Sequence, residues 1–225
     1  MPLFIDLHAH TFRSGDSMMT IEDLALAAKS TGLHGFAITD HNSVEEVKGL
    51  KGKYRLEDKG LLIVPGLEVT TAAGHILAYG DVGPIPTGMP TEEAVDRVIS
   101  AGGVPVAAHP FRLSTGIGEA VVRRCRFQAM EVFNGRTREG ANMKALALAK
   151  ELKLPMTGGS DAHFPEQVGE VVTVFPDDAT DIEAVLKAIK GGDCKPEGRQ
   201  PTTGRVVQMA GSNTIKWLKR GMRRR

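Results

Sequence analysis

The sequence predicts an α/β fold in which parallel strands are joined by helical crossovers. Short apolar runs alternate with longer stretches that have the periodicity and the end signals of helices. No interior linker divides the chain, so we expect a single domain that covers residues 1–225. Histidine, aspartate and glutamate also follow the apolar runs repeatedly. An open doubly wound sheet and a closed barrel both satisfy this alternation.

The predicted strands are mostly four to six residues long and carry Ile, Val or Phe. Such runs are typical of strands that are buried on both faces. In chain order the predicted strands cover residues 3–7, 35–39, 61–64, 75–79, 104–108, 130–133, 155–157 and 171–175.

The predicted helices are recognised by their ends. Thr20 followed by Asp23 has the spacing of a capping box, and Gly32 stands at the expected C-cap. Residues 193–212 are rich in Gly, Pro and Thr and are predicted to be a loop before a last short helix at 213–222. The other predicted helices cover residues 20–31, 91–101, 138–152 and 181–189.

The composition excludes several classes of protein. Hydrophobic residues make up 41% of the 225 residues and charged residues 24%, which is typical of a globular chain and not of a disordered one. No apolar run is long enough to span a membrane, and residues 1–7 lack the features of a secretion signal. Cys125 and Cys194 lie far apart in the sequence, which argues against a disulfide framework. We therefore expect a cytoplasmic location.

Residue types that bind metals cluster at the predicted strand ends. Six of the seven histidines lie beside the apolar runs, and five separate strand ends contribute imidazoles or carboxylates. Because the carboxyl ends of parallel strands share one face, these side chains are expected to meet. In His8-x-His10 and Asp161-x-His163, both side chains point to the same side of an extended segment. The predicted ligands are His8, His10, Asp16, His41, Glu68, His75, His109, Asp161 and His163.

The number of these residues predicts two or three divalent ions, since one ion takes roughly four to six ligands. Imidazole and carboxylate suit Zn²⁺, Mn²⁺ or Fe²⁺, and Glu68 is placed to bridge two ions. Each pattern alone would also fit a buried, hydrogen-bonded histidine. The conjunction favours metal, because clustered charges without a cation are costly to bury. His34 has no acidic or histidine neighbours and is expected to be an ordinary surface or turn residue.

The motifs that carry these ligands resemble those of the PHP (polymerase and histidinol phosphatase) family of metal-dependent phosphoesterases. The resemblance implies a distorted, seven-stranded relative of the (β/α)₈ barrel. The sequence departs from a common family pattern at Ser14-Gly15-Asp16-Ser17, where many members have Ser-Asp-Gly. The matching motifs are Asp6-Leu7-His8-Ala9-His10-Thr11, Ile38-Thr39-Asp40-His41-Asn42, Pro65-Gly66-Leu67-Glu68, Gly74-His75, Ala108-His109-Pro110 and Gly159-Ser160-Asp161-Ala162-His163.

The resemblance also implies roles for individual residues. Asp6 and Asp40 would accept the ring N–H of ligand histidines and fix their tautomers. Glu68, Asp161 and His163 would be the catalytic residues. The first ion would be held by His8, His10, Glu68 and Asp161, the second by Glu68, His75 and His109, and the third by Asp16, His41 and His163.

The implied reaction is hydrolysis of a phosphate ester. A hydroxide that bridges the first two ions would attack phosphorus, and the third ion would assist departure of the leaving oxygen. We expect Arg112, Asn134 and Arg136 to bind the substrate, because they follow strands at the same end of the fold. The substrate would be a phosphomonoester, a nucleotide or a nucleic-acid end. An amidohydrolase-type enzyme on a related barrel and a non-catalytic metal-binding or interaction module remain as alternatives.

The last ten residues form a basic tail. Without its six basic residues the chain has 22 basic and 27 acidic residues, so the body does not resemble a nucleic-acid binder by bulk charge. The tail, at about 213–225, either contacts RNA or DNA, with Trp217 stacking on a base, or packs on the barrel through Ile215, Trp217 and Leu218. The sequence predicts no oligomeric state. The basic residues of the tail are Lys216, Lys219, Arg220, Arg223, Arg224 and Arg225.

Overall fold

A mixed sheet of ten strands forms the centre of the fold and curls into a nearly closed barrel. The structure is a computed structural model, and it describes residues 1–198. The strands are β1 (Leu3–Asp6), β2 (Gly35–Ile38), β3 (Arg55–Leu56), β4 (Leu61–Thr70), β5 (His75–Tyr79), β6 (Val104–Ala107), β7 (Ala129–Asn134), β8 (Met156–Gly159), β9 (Val171–Phe175) and β10 (Lys195–Gly198). The helices are α1 (Ile21–Ser30), α2 (Glu45–Gly49), α3 (Thr91–Ser100), α4 (Gly118–Arg124), α5 (Glu139–Leu152) and α6 (Ile182–Gly191).

The order of the strands is β10-β9-β1-β2-β4-β5-β6-β7-β8, with β3 paired to β4. The pairs β1·β2, β2·β4, β6·β7 and β7·β8 are parallel, whereas β5 and β9 run antiparallel to both of their neighbours. The hydroxyl of Thr173 on β9 bonds both the N–H and the C=O of Gly158 on β8, at 2.9 and 2.8 Å. A side chain therefore spans the seam where the sheet meets itself.

The predicted TIM-like barrel is confirmed, but its strands differ in number and direction from the prediction. The resemblance implies seven strands, and the described residues form ten. Only residues 71–74 separate β4 from β5, too few for a helical crossover, so these two strands form an antiparallel hairpin. β10 lies inside the predicted loop at 193–212, because its polar sequence gives no strand signal. The predicted helix at 213–222 lies outside the described residues.

The helix ends follow the predicted capping chemistry. The Thr20 hydroxyl accepts the Asp23 N–H at 3.1 Å, and the Asp23 carboxylate accepts the Thr20 N–H at 2.9 Å, which completes the capping box of α1. The Asp181 carboxylate accepts the Ala184 N–H at 2.8 Å, and Gly192 ends α6 in the left-handed conformation. The short helices α2 and α4 are not predicted by the sequence analysis. No helix within residues 1–198 is long and apolar enough to cross a membrane.

Candidate metal centre

The predicted metal ligands meet at one end of the barrel. His8 and His10 follow β1, His41 follows β2 and His109 follows β6. Glu68 lies within β4 and His75 begins β5, whose reversed direction brings its first residue to the same end. The other two ligand-bearing segments are the loop after the 3-10 turn Phe12–Ser14, which carries Asp16, and the loop after β8, which carries Asp161 and His163.

The two motifs with i, i+2 spacing pair with each other through the backbone. Ala9 and Ala162 form an isolated parallel bridge just beyond β1 and β8. The His10 N–H donates to the Ala162 carbonyl at 2.9 Å, and the Ala162 N–H donates to the His8 carbonyl at 3.3 Å. The bridge sets the four flanking side chains against one another, as the extended spacing predicts.

The first predicted set of ligands is assembled around two carboxylate oxygens. His8 Nε2 lies 3.3 Å and His10 Nε2 lies 3.4 Å from Glu68 Oε2. Asp161 Oδ1 is 3.3 Å from His10 Nε2 and 3.9 Å from His8 Nε2. Four donors at about 2.1 Å from a tetrahedral ion lie about 3.4 Å from one another. The spacing of these four side chains therefore fits one ion.

Unsatisfied buried atoms support the same interpretation. His8 Nε2, His10 Nε2 and Glu68 Oε2 are buried and have no hydrogen-bond partner among residues 1–198. Leaving such an atom unpaired costs about 1–3 kcal/mol, and more for a charged group. A divalent cation between these atoms would satisfy all three, so the residues present fit a metal ion.

The second predicted set uses the other oxygen of Glu68. His75 Nδ1 lies 2.8 Å and His109 Nε2 lies 2.9 Å from Glu68 Oε1. One carboxylate thus faces both donor sets, as a bridging ligand would. His41 Nδ1 also lies 3.0 Å from Glu68 Oε2, so this ring contacts the shared carboxylate as well.

The third predicted set is more open. His163 Nε2 lies 2.9 Å and His41 Nε2 lies 3.6 Å from Asp16 Oδ2. About half of the Asp16 side chain is exposed, whereas His163 is buried. His10, His41 and His163 also offer ring nitrogens within 4.8 Å of one another. All nine predicted ligands are therefore within reach of this centre.

The backbone at two of the predicted ligands is in an uncommon conformation. His109 has φ +27° and Asp161 has φ +56°, although neither residue is glycine. Such conformations cost about 1–3 kcal/mol each and are most frequent at functional sites. The fold therefore holds these two side chains in place against a local preference for another conformation.

The prediction that Asp6 and Asp40 contact the rings of the predicted ligand histidines is wrong. Asp6 accepts the N–H groups of His8, Ser160 and Gly169 and the Ser160 hydroxyl. Asp40 accepts the N–H and the hydroxyl of Thr11 and the Ser14 hydroxyl. These short side chains bind the loops that carry the ligands instead of the ligand rings.

Ser14 connects Asp40 to His10, one of the predicted ligands. The Ser14 hydroxyl donates to Asp40 Oδ1 at 2.9 Å and lies 2.9 Å from His10 Nδ1. Because its proton goes to Asp40, the hydroxyl accepts the His10 Nδ1–H. This leaves His10 Nε2 as the lone-pair nitrogen that faces the centre. Ser14 thus performs the role that was expected of Asp40.

Glu131, which contacts two of the predicted ligand residues, is not among the residues predicted from the sequence. This residue of β7 is 1% exposed, and its Oε1 lies 2.9 Å from His8 Nδ1. Its other oxygen accepts the backbone N–H of His109 at 2.9 Å. The available signal was a lone acidic residue inside the apolar run 130–133. A buried acid in such a run needs a partner.

The three predicted substrate-binding residues lie at different depths, with two at the surface of a cavity and one buried behind them. Arg112 and Arg136 line a cavity of about 710 Å³ beside the predicted ligands. Arg112 donates to Asp161 Oδ2 and to Asn134 Oδ1, and Arg136 Nη1 lies 3.6 Å from Asp161 Oδ1. Asn134 is fully buried behind the arginines, and its amide nitrogen donates to Glu131 and Asp161. The two arginines face the cavity, whereas Asn134 supports them.

His34 lies away from this centre. Its Nδ1 accepts the Phe4 N–H at 3.1 Å, and its ring stacks on that of Phe4. These contacts are structural, which agrees with the prediction that His34 is an ordinary surface or turn residue.

Addition of Mn²⁺ near pH 8 is expected to release protons. Burial by itself would lower the pKa values of His8 and His41. The charge of Glu131 nevertheless raises the pKa of His8 well above its usual range, and the charge of Glu68 raises the pKa of His41 to about 10. The His41 ring is thus a cationic imidazolium in the metal-free protein at pH 8, and it has to release one proton to act as a ligand. The pH change of a weakly buffered sample on Mn²⁺ addition measures this release.

The same linkage means that Mn²⁺ affinity rises as the pH increases from about 7 towards 10, because proton competition for the rings declines. His34→Gln is the control and should release as many protons as the unmodified chain. Tight binding at pH 8 without proton release would contradict the expectation.

Comparison with known proteins gives matches over most of the chain. The model described as "PHP domain" matches residues 6–102, and the model described as "PHP-associated" matches residues 139–194. An uncharacterised protein of Methanocaldococcus jannaschii is 30% identical over 159 residues, which cover 66% of this chain and 91% of the relative. A probable phosphatase of Vibrio parahaemolyticus is 28% identical, over 76% of this chain and 82% of the relative.

A solved structure has the same fold. PsfC from Pseudomonas syringae superimposes with a TM-score of 0.74 at 20% sequence identity. The match covers 95% of this chain and 98% of PsfC. At this identity the similarity concerns the architecture of the chain.

Proposed function

The chain belongs to the PHP family of metal-dependent phosphoesterases, and from this premise we propose that it hydrolyses phosphate esters at a centre of two or three divalent ions. The observation that carries the proposal is the shared carboxylate of Glu68. Its Oε2 faces His8 and His10, and its Oε1 faces His75 and His109. Three of the buried side-chain atoms that have no hydrogen-bond partner within residues 1–198 belong to this carboxylate and to the two rings of the first set.

We assign some residues of this site to metal binding and others to substrate binding. Bound ions would supply positive charge and would lower the pKa of water from about 15.7 towards 7. We assign the three donor sets described above to Mn²⁺, Zn²⁺ or Fe²⁺. Arg112 and Arg136 would bind the phosphoryl oxygens and offset the charge that develops on them. Asp161 contacts both groups, because it faces His10 on one side and Arg112 on the other.

The cavity beside the centre suits an anionic substrate. It is lined by Arg112, Arg136 and Arg138, and also by the apolar side chains of Phe111 and Leu113. Its volume of about 710 Å³ exceeds what a phosphate group alone requires. We therefore propose a phosphomonoester, a nucleotide or a nucleic-acid end as the substrate class, with Glu68, Asp161 and His163 as the catalytic residues.

The test is hydrolysis of a small panel of substrates by the metal-loaded protein, measured as phosphate release from the monoesters and as release of nucleotides or shorter fragments from RNA. The panel contains an aryl phosphate, histidinol phosphate, a 3′,5′-bisphosphonucleotide and a short RNA, with His8→Ala and Asp161→Ala as matched variants. Hydrolysis that both substitutions abolish would support the proposal. Cleavage of amides but not of phosphate esters would favour the amidohydrolase alternative. A folded, metal-loaded protein that cleaves nothing would favour the binding module.

The path of the chain favours a nucleic-acid end within this substrate class. Gly198 pairs with Val171 at the start of β9. Gly169, two residues earlier, donates to Asp6 Oδ2, and Asp6 is two residues from His8. The chain therefore leaves β10 at the metal end of the barrel. Residues 199–225 carry eight of the 28 basic residues and none of the 27 acidic ones, which leaves 20 basic and 27 acidic residues in 1–198.

Neutralising the tail is expected to weaken cleavage of RNA and to leave cleavage of an aryl phosphate unchanged. We expect glutamine at all six basic positions of 213–225 to raise the KM for a short RNA about tenfold and to flatten its salt dependence, since fewer phosphates are contacted. Steady-state kinetics at several salt concentrations measure both effects. An equal rise in the KM for the aryl phosphate would show that the tail instead packs on the barrel.

A further inference from the structure

Strand β7 contains an irregularity that places two polar side chains on one face. Glu131 pairs with Thr157 of β8, but Phe133 pairs with the next residue, Gly158, so Val132 is an extra residue. In a regular strand Glu131 and Asn134 would point to opposite faces, because they are three residues apart. The extra residue brings both to the same face, as β-bulges do beside functional sites. The Asn134 amide donates to Glu131 Oε2 at 3.1 Å.

Glu131 lies between two proposed metal ligands that follow different strands. Its Oε1 lies 2.9 Å from the ring Nδ1 of His8, which belongs to the first donor set. Its Oε2 accepts the backbone N–H of His109, which belongs to the second set, at 2.9 Å. The carboxylate is 1% exposed, so water does not compete effectively for these bonds.

The two bonds act on different properties of the ligands. A carboxylate can only accept, so the bond to His8 requires Nδ1 to carry the proton and leaves Nε2 as the lone-pair donor. This is the nitrogen that faces Glu68 and has no hydrogen-bond partner within residues 1–198. The bond to His109 holds the main chain where φ is +27°. Glu131 thus fixes the ring of one ligand and the backbone of the other.

Asn134 extends this support to a third ligand. Its amide nitrogen also lies 3.3 Å from Asp161 Oδ2, and its amide oxygen accepts from Arg112 at 2.6 Å. The Asn142 side chain in turn holds the Asn134 backbone, through bonds of 3.3 and 3.1 Å. Both polar residues on this face of β7 therefore bond to proposed ligand residues.

We propose that Glu131 is a positioning residue that sets the geometry of both the first and the second metal site, by orienting the His8 ring and by holding the strained backbone at His109. The inference rests on the metal centre of the proposed function. It predicts that one substitution in β7 weakens binding at two sites while removing no ligand. Partners of this kind typically contribute 10- to 100-fold in metal affinity.

The test uses the full chain with Glu131→Gln. Glutamine preserves the volume but has a single acceptor oxygen, so its NH₂ group must face either the His8 Nδ1–H or the His109 N–H. We expect Zn²⁺ affinity, measured by chelator competition, to fall about 10- to 100-fold at the site whose bond is lost in Glu131→Gln, and at both sites in Glu131→Leu. In the ¹⁵N NMR spectrum of the Zn²⁺-loaded protein, the His8 Nδ1–H or the His109 amide signal should shift or disappear. Glu131→Leu, which has no acceptor, should change both signals.

The control is Val98→Ala, which removes buried volume from α3 away from the centre and should lower the melting temperature without changing Zn²⁺ affinity. If Glu131→Gln folds and binds Zn²⁺ as tightly as the unmodified chain at both sites, the inference is overturned. Complete loss of one ion with both NMR signals in place would also overturn it, because Glu131 would then be a ligand itself. An unmodified chain that binds no divalent ion would instead refute the proposed function.

Discussion

Glu68→Gln is expected to lower kcat by at least about 10²- to 10³-fold, which is the loss that follows removal of a single stabilising donor in other enzymes. The effect should be at the upper end or beyond, because Glu68 is placed to serve two ions. Its oxygens lie within 3.4 Å of ring nitrogens of five histidines, which are His8, His10, His41, His75 and His109. An amide keeps the shape of the side chain but replaces one oxygen by a donor, which faces ring nitrogens or a cation unfavourably.

The measurement combines steady-state kinetics with the metal content of the purified variant. We expect fewer bound ions per chain together with the loss of turnover. Glu119→Gln is the control, because Glu119 lies on α4 at the surface and pairs with Arg123. Unchanged metal content and an unchanged kcat/KM in Glu68→Gln would show that this carboxylate does not bridge ions.

Gly159→Ala is expected to damage the centre as strongly, although Gly159 is not a ligand. A Cβ at this position would lie 2.4 Å from His8 Cβ and 2.6 Å from His8 N, distances that require β8 and the start of the His8 loop to separate. Overpacking of this kind costs about 1–3 kcal/mol of unfolding free energy. Because His8 itself is displaced, metal affinity should fall along with stability.

The control for this substitution is Gly140→Ala in the first turn of α5, where an added Cβ has open space within 4 Å. Alanine favours a helix over glycine, so this variant should be as stable as the unmodified chain or slightly more stable. Thermal unfolding and a Zn²⁺ titration of both variants provide the comparison. Normal stability and normal Zn²⁺ affinity of Gly159→Ala would contradict the close packing of Gly159 against His8.

The sequence predicts which side chains meet at one end of the barrel, because histidines and acids follow the apolar runs. An apolar run followed by a histidine or an acid marks the carboxyl end of a strand, and such ends meet in an α/β barrel. The capping box of α1 is also predicted, because Thr20 and Asp23 are close in sequence and interact locally. The reversed directions of β5 and β9 are not predicted, because apolar content does not encode direction.

The residues that support the ligands are harder to predict. Asp6 and Asp40 lie next to ligands in the sequence, yet their hydrogen bonds go to the loops and to Ser14. Glu131 is distant in sequence from His8, and the bulge that brings Asn134 to the same face has no signature in residues 129–134. Such contacts depend on strand register, which is decided by the packing of the whole sheet.

The Thr173 seam also has a consequence for association between molecules. The two ends of the strand order, β8 and β10, are edge strands, which in an open sheet would be templates for intermolecular pairing and aggregation. Because the sheet curls until Thr173 reaches Gly158, each edge lies against the other, and a Cβ at Gly158 would contact Pro196 of β10 at 3.0 Å. Pro196 has no N–H to offer to another chain. The protein thus masks both edges without a continuous ladder between them.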